Sequence, residues 1–209
     1  DEDVRRDQAM RLWKRYGRYF VALLAIIVVG AGANATWNHI KTKRMMADGS
    51  KFSAAVSLVQ NRQYEQAALR FSEQITNSGA GYSQLAQLQK AAALIASDDH
   101  NGAISIYDSL ADTPSTDRMI ADLAVILAGI HRIDADRADE ATARLVELSE
   151  GTGPWRHLAR EMRALALLKS GNEQRARELL ASLVGDPTSP PGVRSRATEV
   201  LGTLNPNAR

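Results

Sequence analysis

Cysteine is absent from all 209 residues, which excludes disulfides, thiol nucleophiles and cysteine zinc sites and is compatible with an oxidising compartment. Aromatic residues make up only 5% of the chain, and β-branched runs are scarce after residue 40. With abundant Ala and Leu, that composition predicts an almost entirely helical domain there. Net charge is small, +2 over the whole chain. Six basic and four acidic side chains precede residue 19, and the remaining 20 of each sign fall after it, which disfavours nucleic acid as a partner. No glycine-rich phosphate loop, nucleophile elbow or pair of catalytic carboxylates is present. Gly79-Ala80-Gly81 has no Lys at the required spacing and reads as a linker between helical units. His39, His100, His131 and His157 are scattered without an i, i+4 pair. The acidic run Asp134-x-Asp136-x-x-Asp139-Glu140 lacks the Gly and the terminal Glu of a calcium loop and suits a helix start. No catalytic, cofactor-binding or metal-ligating residue is therefore assigned, and no enzyme activity or small-molecule substrate is expected.

One uncharged run, Tyr19 to Ile40, is present, with basic residues on both sides. About 20 residues rising 1.5 Å each could cross a ~30 Å hydrocarbon layer, and Phe20, Val21, Leu23, Leu24, Ile26, Ile27, Val28 and Val29 would favour insertion by a few kcal/mol. The expectation is a transmembrane helix over 19–40, with Trp13, Tyr16, Tyr19 and Trp37 as interfacial anchors. Six Lys and Arg before the run against four in the next twenty residues place the N-terminus in the cytoplasm. Small residues at 31, 33 and 35 leave a cleaved secretory signal as an alternative. Gly30, Ala31, Asn34 and Ala35 have the composition of a transmembrane packing face, set against simple lipid exposure.

The chain after the run hides a repeat. Ala67 and Phe71, Ala103 and Tyr107, Ala141 and Leu145, and Ala176 and Leu180 each place a small residue four positions before a large one, and the alanines stand 36, 38 and 35 apart. Four positions return to one helix face, so each pair sets a bulky side chain beside a site of close helix approach. Turn-prone clusters precede each pair at Asn61-Arg62-Gln63, Asp98 to Gly102, Asp134-Ala135-Asp136 and Ser170-Gly171-Asn172. Helix-like segments precede the clusters at 46–59, 82–97, 117–133 and 155–169, and Pro114, Gly153-Pro154 and Pro187 stop the second helices. A helix over 193–204 would cap the array. An ordinary helical bundle with chance spacings is the alternative.

This period resembles tetratricopeptide repeats, with Tyr64-Glu65-Gln66-Ala67-Ala68-Leu69-Arg70-Phe71 the best single match. The expected fold is all-α, a transmembrane helix followed by a tetratricopeptide-like α-solenoid of about four helix pairs plus a C-terminal cap. Its parts are a cytoplasmic tail 1–18, the span 19–40 and a periplasmic domain 41–209. With the segment Asp7 to Gly17, Gly30, Gly32 and Trp37, the layout resembles the YfgM family of bacterial inner-membrane proteins. That resemblance implies a non-enzymatic accessory of the Sec translocon, with translocon subunits, a periplasmic chaperone or prolyl isomerase, exported clients and membrane lipid as partners and no cofactor. A structural subunit bracing a large inner-membrane complex is the alternative. Candidates lining a binding groove are Gln84, Gln87, Lys90, Arg118, Asp122, Arg160 and Arg163.

Overall fold

A computed structural model describes the backbone of residues 2–204 and the side chains of residues 29–204; all regular structure among them is helical. The helices are α1 (Glu2–Gln60), α2 (Tyr64–Asn77), α3 (Ala80–Ala96), α4 (His100–Asp112), α5 (Arg118–Asp134), α6 (Ala138–Glu150), α7 (Arg156–Lys169), α8 (Glu173–Gly185) and α9 (Pro191–Leu204). The chain divides into two units, 1–49 and 50–209.

In the first unit the expected membrane-crossing helix over 19–40 is overturned. Among the described residues, no helix is long and apolar enough to cross a membrane. From Val29 to Ile40 the side chains include Gly30, Gly32, Asn34, Thr36, Asn38 and His39, and the same helix runs on into Lys41, Lys43 and Arg44. The expected single-pass placement, with its cytoplasmic N-terminus and periplasmic domain, is withdrawn with the helix. Gly30, Ala31, Asn34 and Ala35 are all exposed, as is Trp37, while Trp13, Tyr16 and Tyr19 lie outside the residues whose side chains are described. The Asn38 amide donates to Asn34 Oδ1 at 3.5 Å and Thr36 donates to the Gly32 carbonyl at 2.9 Å, so these polar groups bond along their own helix.

The second unit is a stack of helix pairs: the end of α1 with α2, α3 with α4, α5 with α6, and α7 with α8, followed by α9. Each pair turns in the same way. The second residue past the first helix is left-handed, with φ of 60° at Arg62, 69° at Asp98, 57° at Asp136 and 79° at Gly171. The next residue's N–H reaches back five positions, Gln63 to Leu58, Asp99 to Leu94, Arg137 to Arg132 and Asn172 to Leu167, at 2.7–2.9 Å. These two features are the Schellman stop, which satisfies the last carbonyls of a helix and turns the chain sharply. Only the fourth turn uses glycine; the other three carry the steric cost of a Cβ at positive φ. Arg62→Gly is therefore expected to raise stability by about 1 kcal/mol, and Gly171→Ala to lower it by about as much, read from urea midpoints.

Small residues let the pairs close. Ala67, Ala103, Ala141 and Ala176 are 0% exposed, and Phe71, Tyr107, Leu145 and Leu180 are at most 2% exposed beside them. Twelve positions before each alanine stands another buried small residue, Ala55, Ala91, Gly129 or Ala164. At Gly129 an added Cβ would come within 3.0 Å of Leu145 Cδ1, so the first and second helices of that pair touch through the missing side chain. The core is a series of local clusters shared between neighbours, as expected for a stack where each unit meets only the next.

Candidate functional site

Some charged residues on the helix faces join neighbouring helices, some pair within their own helix, as Arg70 with Glu73 and Arg177 with Glu173, and others stay available. At the junction of α4, α5 and α6, the buried Arg132 pairs with Asp108 and lies 3.5 Å from Glu140, while Arg144 reaches Asp112 at 2.8 Å and Asp108 at 3.6 Å. Where α6 meets α7, the Arg160 guanidinium donates to the Ser149 carbonyl at 3.1 and 3.3 Å, and Arg163 donates to Ser149 Oγ at 3.0 Å and Glu150 at 2.8 Å. Between α7 and α9, Arg196 forks onto the buried Glu161 at 2.6 and 2.7 Å.

A histidine clasp holds the loop before α9. His157, buried on α7, has Ser189 Oγ 3.2 Å from Nδ1, Thr188 Oγ1 3.4 Å from Nε2, and Asp186 3.7 Å from Nδ1. The Thr188 hydroxyl and backbone N–H both donate to Asp186, which pull its pKa below the ordinary carboxylate range. Burial, seconded by Arg156, holds the His157 imidazole below the ordinary histidine range, against the pull of Asp186. His131, stacked on Tyr107 with centroids 6.1 Å apart, is lowered by burial too, with Asp134 opposing and His100 reinforcing. The folded protein thus holds fewer protons on these rings than the unfolded chain does. Stability is expected to fall as pH drops below ~6.5, with the histidine contribution levelling off once the folded imidazoles protonate and the depressed Asp186 extending the loss into the carboxylate range. Replacing His157 by Gln should flatten part of that slope in urea titrations at successive pH values.

The expected groove residues divide along the same line. Gln84 bridges to the next loop, donating to Ser115 O at 3.2 Å and accepting from Asp117 N at 3.4 Å. Arg118 pairs with the buried Asp122 at 2.8 Å and lies 3.6 Å from Glu147. Arg160 and Arg163 serve the α6–α7 junction described above. Gln87 and Lys90, one turn apart and half-buried on α3, have no polar partner among the described residues. Sequence reading missed the inward-facing Arg132 and Glu161 because their partners lie 24 and 35 residues away. The buried small residues twelve positions before each signature alanine were a signal open to it.

A groove of ≈ 550 Å³ opens on the first pair, between the end of α1 and α2. Lys51, Ala54, Ala55 and Leu58 line one wall; Gln66, Arg70, Glu73, Gln74, Asn77 and Ser78 line the other. Among the described residues no group of three or more His, Asp or Glu side chains is placed to hold a metal ion.

Residues 11–181 match a tetratricopeptide repeat-like domain. No curated protein and no solved structure matches the chain.

Proposed function

Because this chain belongs to the tetratricopeptide repeat-like domain family, whose members mediate protein–protein contacts, we propose that it is a non-catalytic scaffold that binds other proteins along its stacked helix faces. No catalytic family is indicated. The observation that carries the reading is the division among the groove candidates: Gln84, Arg118, Arg160 and Arg163 reach neighbouring elements, while Gln87 and Lys90 present donors with no polar partner among the described residues. A row of first helices offers an extended surface, so affinity would come from area and matched polar groups. A finer proposal, that the bound proteins belong to the Sec export machinery, its chaperones and its clients, is supported by the sequence resemblance of residues 7–37 and the repeats. Its rival, a subunit that braces a large complex, draws support from the ion-paired junctions, which stiffen the stack.

Purification of the tagged full chain under mild conditions, with quantification of stoichiometric neighbours, tests the proposal. Wild-type protein is expected to retain a defined set of proteins, and the Gln87→Arg, Lys90→Glu variant to lose most of it. Export components in that set favour the finer reading and a fixed assembly favours the brace. An unchanged set, or none, contradicts the choice of face.

A further inference from the structure

The groove on the first pair corresponds to a position that is filled everywhere else in the stack. Counting by the repeat, Ala54 has the same position as Ala128 two pairs on, and Arg70 the same as Arg144. Ala128 is 1% exposed, covered in the cluster that includes Tyr107 and Leu110 of the preceding second helix, α4, whereas Ala54 is exposed. Arg144 grips Asp112 and Asp108 of that same helix, whereas Arg70 reaches only Glu73 of its own helix, at 3.1 Å with both side chains largely exposed. Three pairs on, Lys51 and Ala54 correspond to Arg160 and Arg163, which hold the Ser149 carbonyl and the Glu150 carboxylate at the C-terminal end of α6. At these two later junctions, cations at these positions meet acceptors in the last two turns of the preceding second helix, whereas at the α2 junction the equivalent Lys90 has no polar partner among the described residues. A helix C-terminus carries partial negative charge, which cations favour.

From this correspondence we infer that the outer face of the first pair is an open repeat junction. It receives a helix from a partner protein, one with carboxylates in its last two turns and small or apolar residues on the face toward Ala54, Ala55 and Leu58. Charge complementarity selects that occupant: Lys51 and Arg70 outnumber Glu73 on the walls, and Glu73 is the carboxylate an incoming Asp or Glu would replace on Arg70. The helix lies where α4 lies against α5 and α6, and its recognition is a helix-in-groove mode. The inference deepens the scaffold reading above and rests on it, and it is tested through Lys51 and Arg70 of the first pair, one repeat before Gln87 and Lys90.

The test uses the protein's own filler as probe. A fluorescent peptide of residues 100–113, helix-stapled on its solvent side, carries Asp108 and Asp112 in its last two turns and is titrated with the full chain by anisotropy. Saturable binding is expected, weakened about tenfold by Lys51→Glu with Arg70→Glu and by Asp108→Lys with Asp112→Lys in the peptide. Both protein sites are exposed, so helicity by circular dichroism should be unchanged. Ala54→Trp, which fills the groove without altering charge, should abolish binding, and Arg175→Glu on α8 should leave it intact. Binding no tighter than that of a scrambled peptide, or indifferent to the Lys51 and Arg70 changes, overturns the inference. So does a concentration-dependent dimer in sedimentation that these changes abolish, since the occupant would then be a second copy. Neither result alters which proteins depend on Gln87 and Lys90, so failure here is separable from failure of the scaffold reading.

Discussion

Phe71→Ala is expected to lower the unfolding free energy by about 3–5 kcal/mol, the largest effect of any single truncation in the first pair. The Phe71 side chain is 0% exposed and is surrounded by Ala55, Ala67, Ala86 and Ala93, with the Phe52 ring at 5.6 Å between centroids. The alanines of this cluster stand on helix backbones and cannot extend inward, which leaves only the partly buried Phe52, Val56, Leu58, Val59, Ile75 and Leu94 at its edge to shift toward the space. Much of the cavity would therefore persist, adding its cost to the lost transfer energy. Leu69→Ala, two residues away and 67% exposed, should change stability by no more than about 0.5 kcal/mol. Because each pair meets only its neighbours, hydrogen exchange in the Phe71 variant should accelerate in α2 and α3 before α7 and α8. Equal losses from both substitutions would refute the packing described here.

The second large effect is at the cap. Arg196→Ala removes the fork from Glu161, a carboxylate 3% exposed, and leaves a buried charge without its partner. Such a loss costs about 3–5 kcal/mol for a fully enclosed pair. Arg196 is itself half-exposed, water reaches its side of the pair, and about 2–3 kcal/mol is the fitting expectation. Replacing both residues by Met should return stability to within about 1 kcal/mol of wild type, because no charge is then left stranded. A double-mutant cycle in urea separates the two outcomes: strong coupling supports the account, and additive losses contradict it. The pair also holds α9 in register over Leu180 and Leu183, so Arg196→Ala should loosen the C-terminal helix first.

The repeat was legible in the sequence because its key positions admit little variation. Alanine at 67, 103, 141 and 176 sits where two helices come together, and any larger residue would push them apart. The turns were visible as polar clusters, but their shared left-handed residue was not, since Arg62, Asp98 and Asp136 occupy a conformation that usually signals itself through glycine. Gly79-Ala80-Gly81 looked like a linker, yet Ala80 and Gly81 already belong to the first turn of α3. Arg160 and Arg163 were read as groove residues because helical periodicity cannot distinguish a polar face toward solvent from one that grips the adjoining helix. The membrane helix was inferred by extending the apolar run through glycine, alanine and asparagine. Those residues keep the described part of α1 too polar to cross a bilayer. The open groove was invisible in sequence, since it exists only by comparison of the first pair with junctions two and three repeats away.

Site-specific photo-crosslinking in living cells tests the central claim most directly. With a photoreactive amino acid in place of Gln87 or Lys90 of the full chain, irradiation should yield discrete adducts with other proteins, and none with the same group at Glu178 on α8. No adduct from either α3 position above the Glu178 background would contradict a scaffold that works through this face.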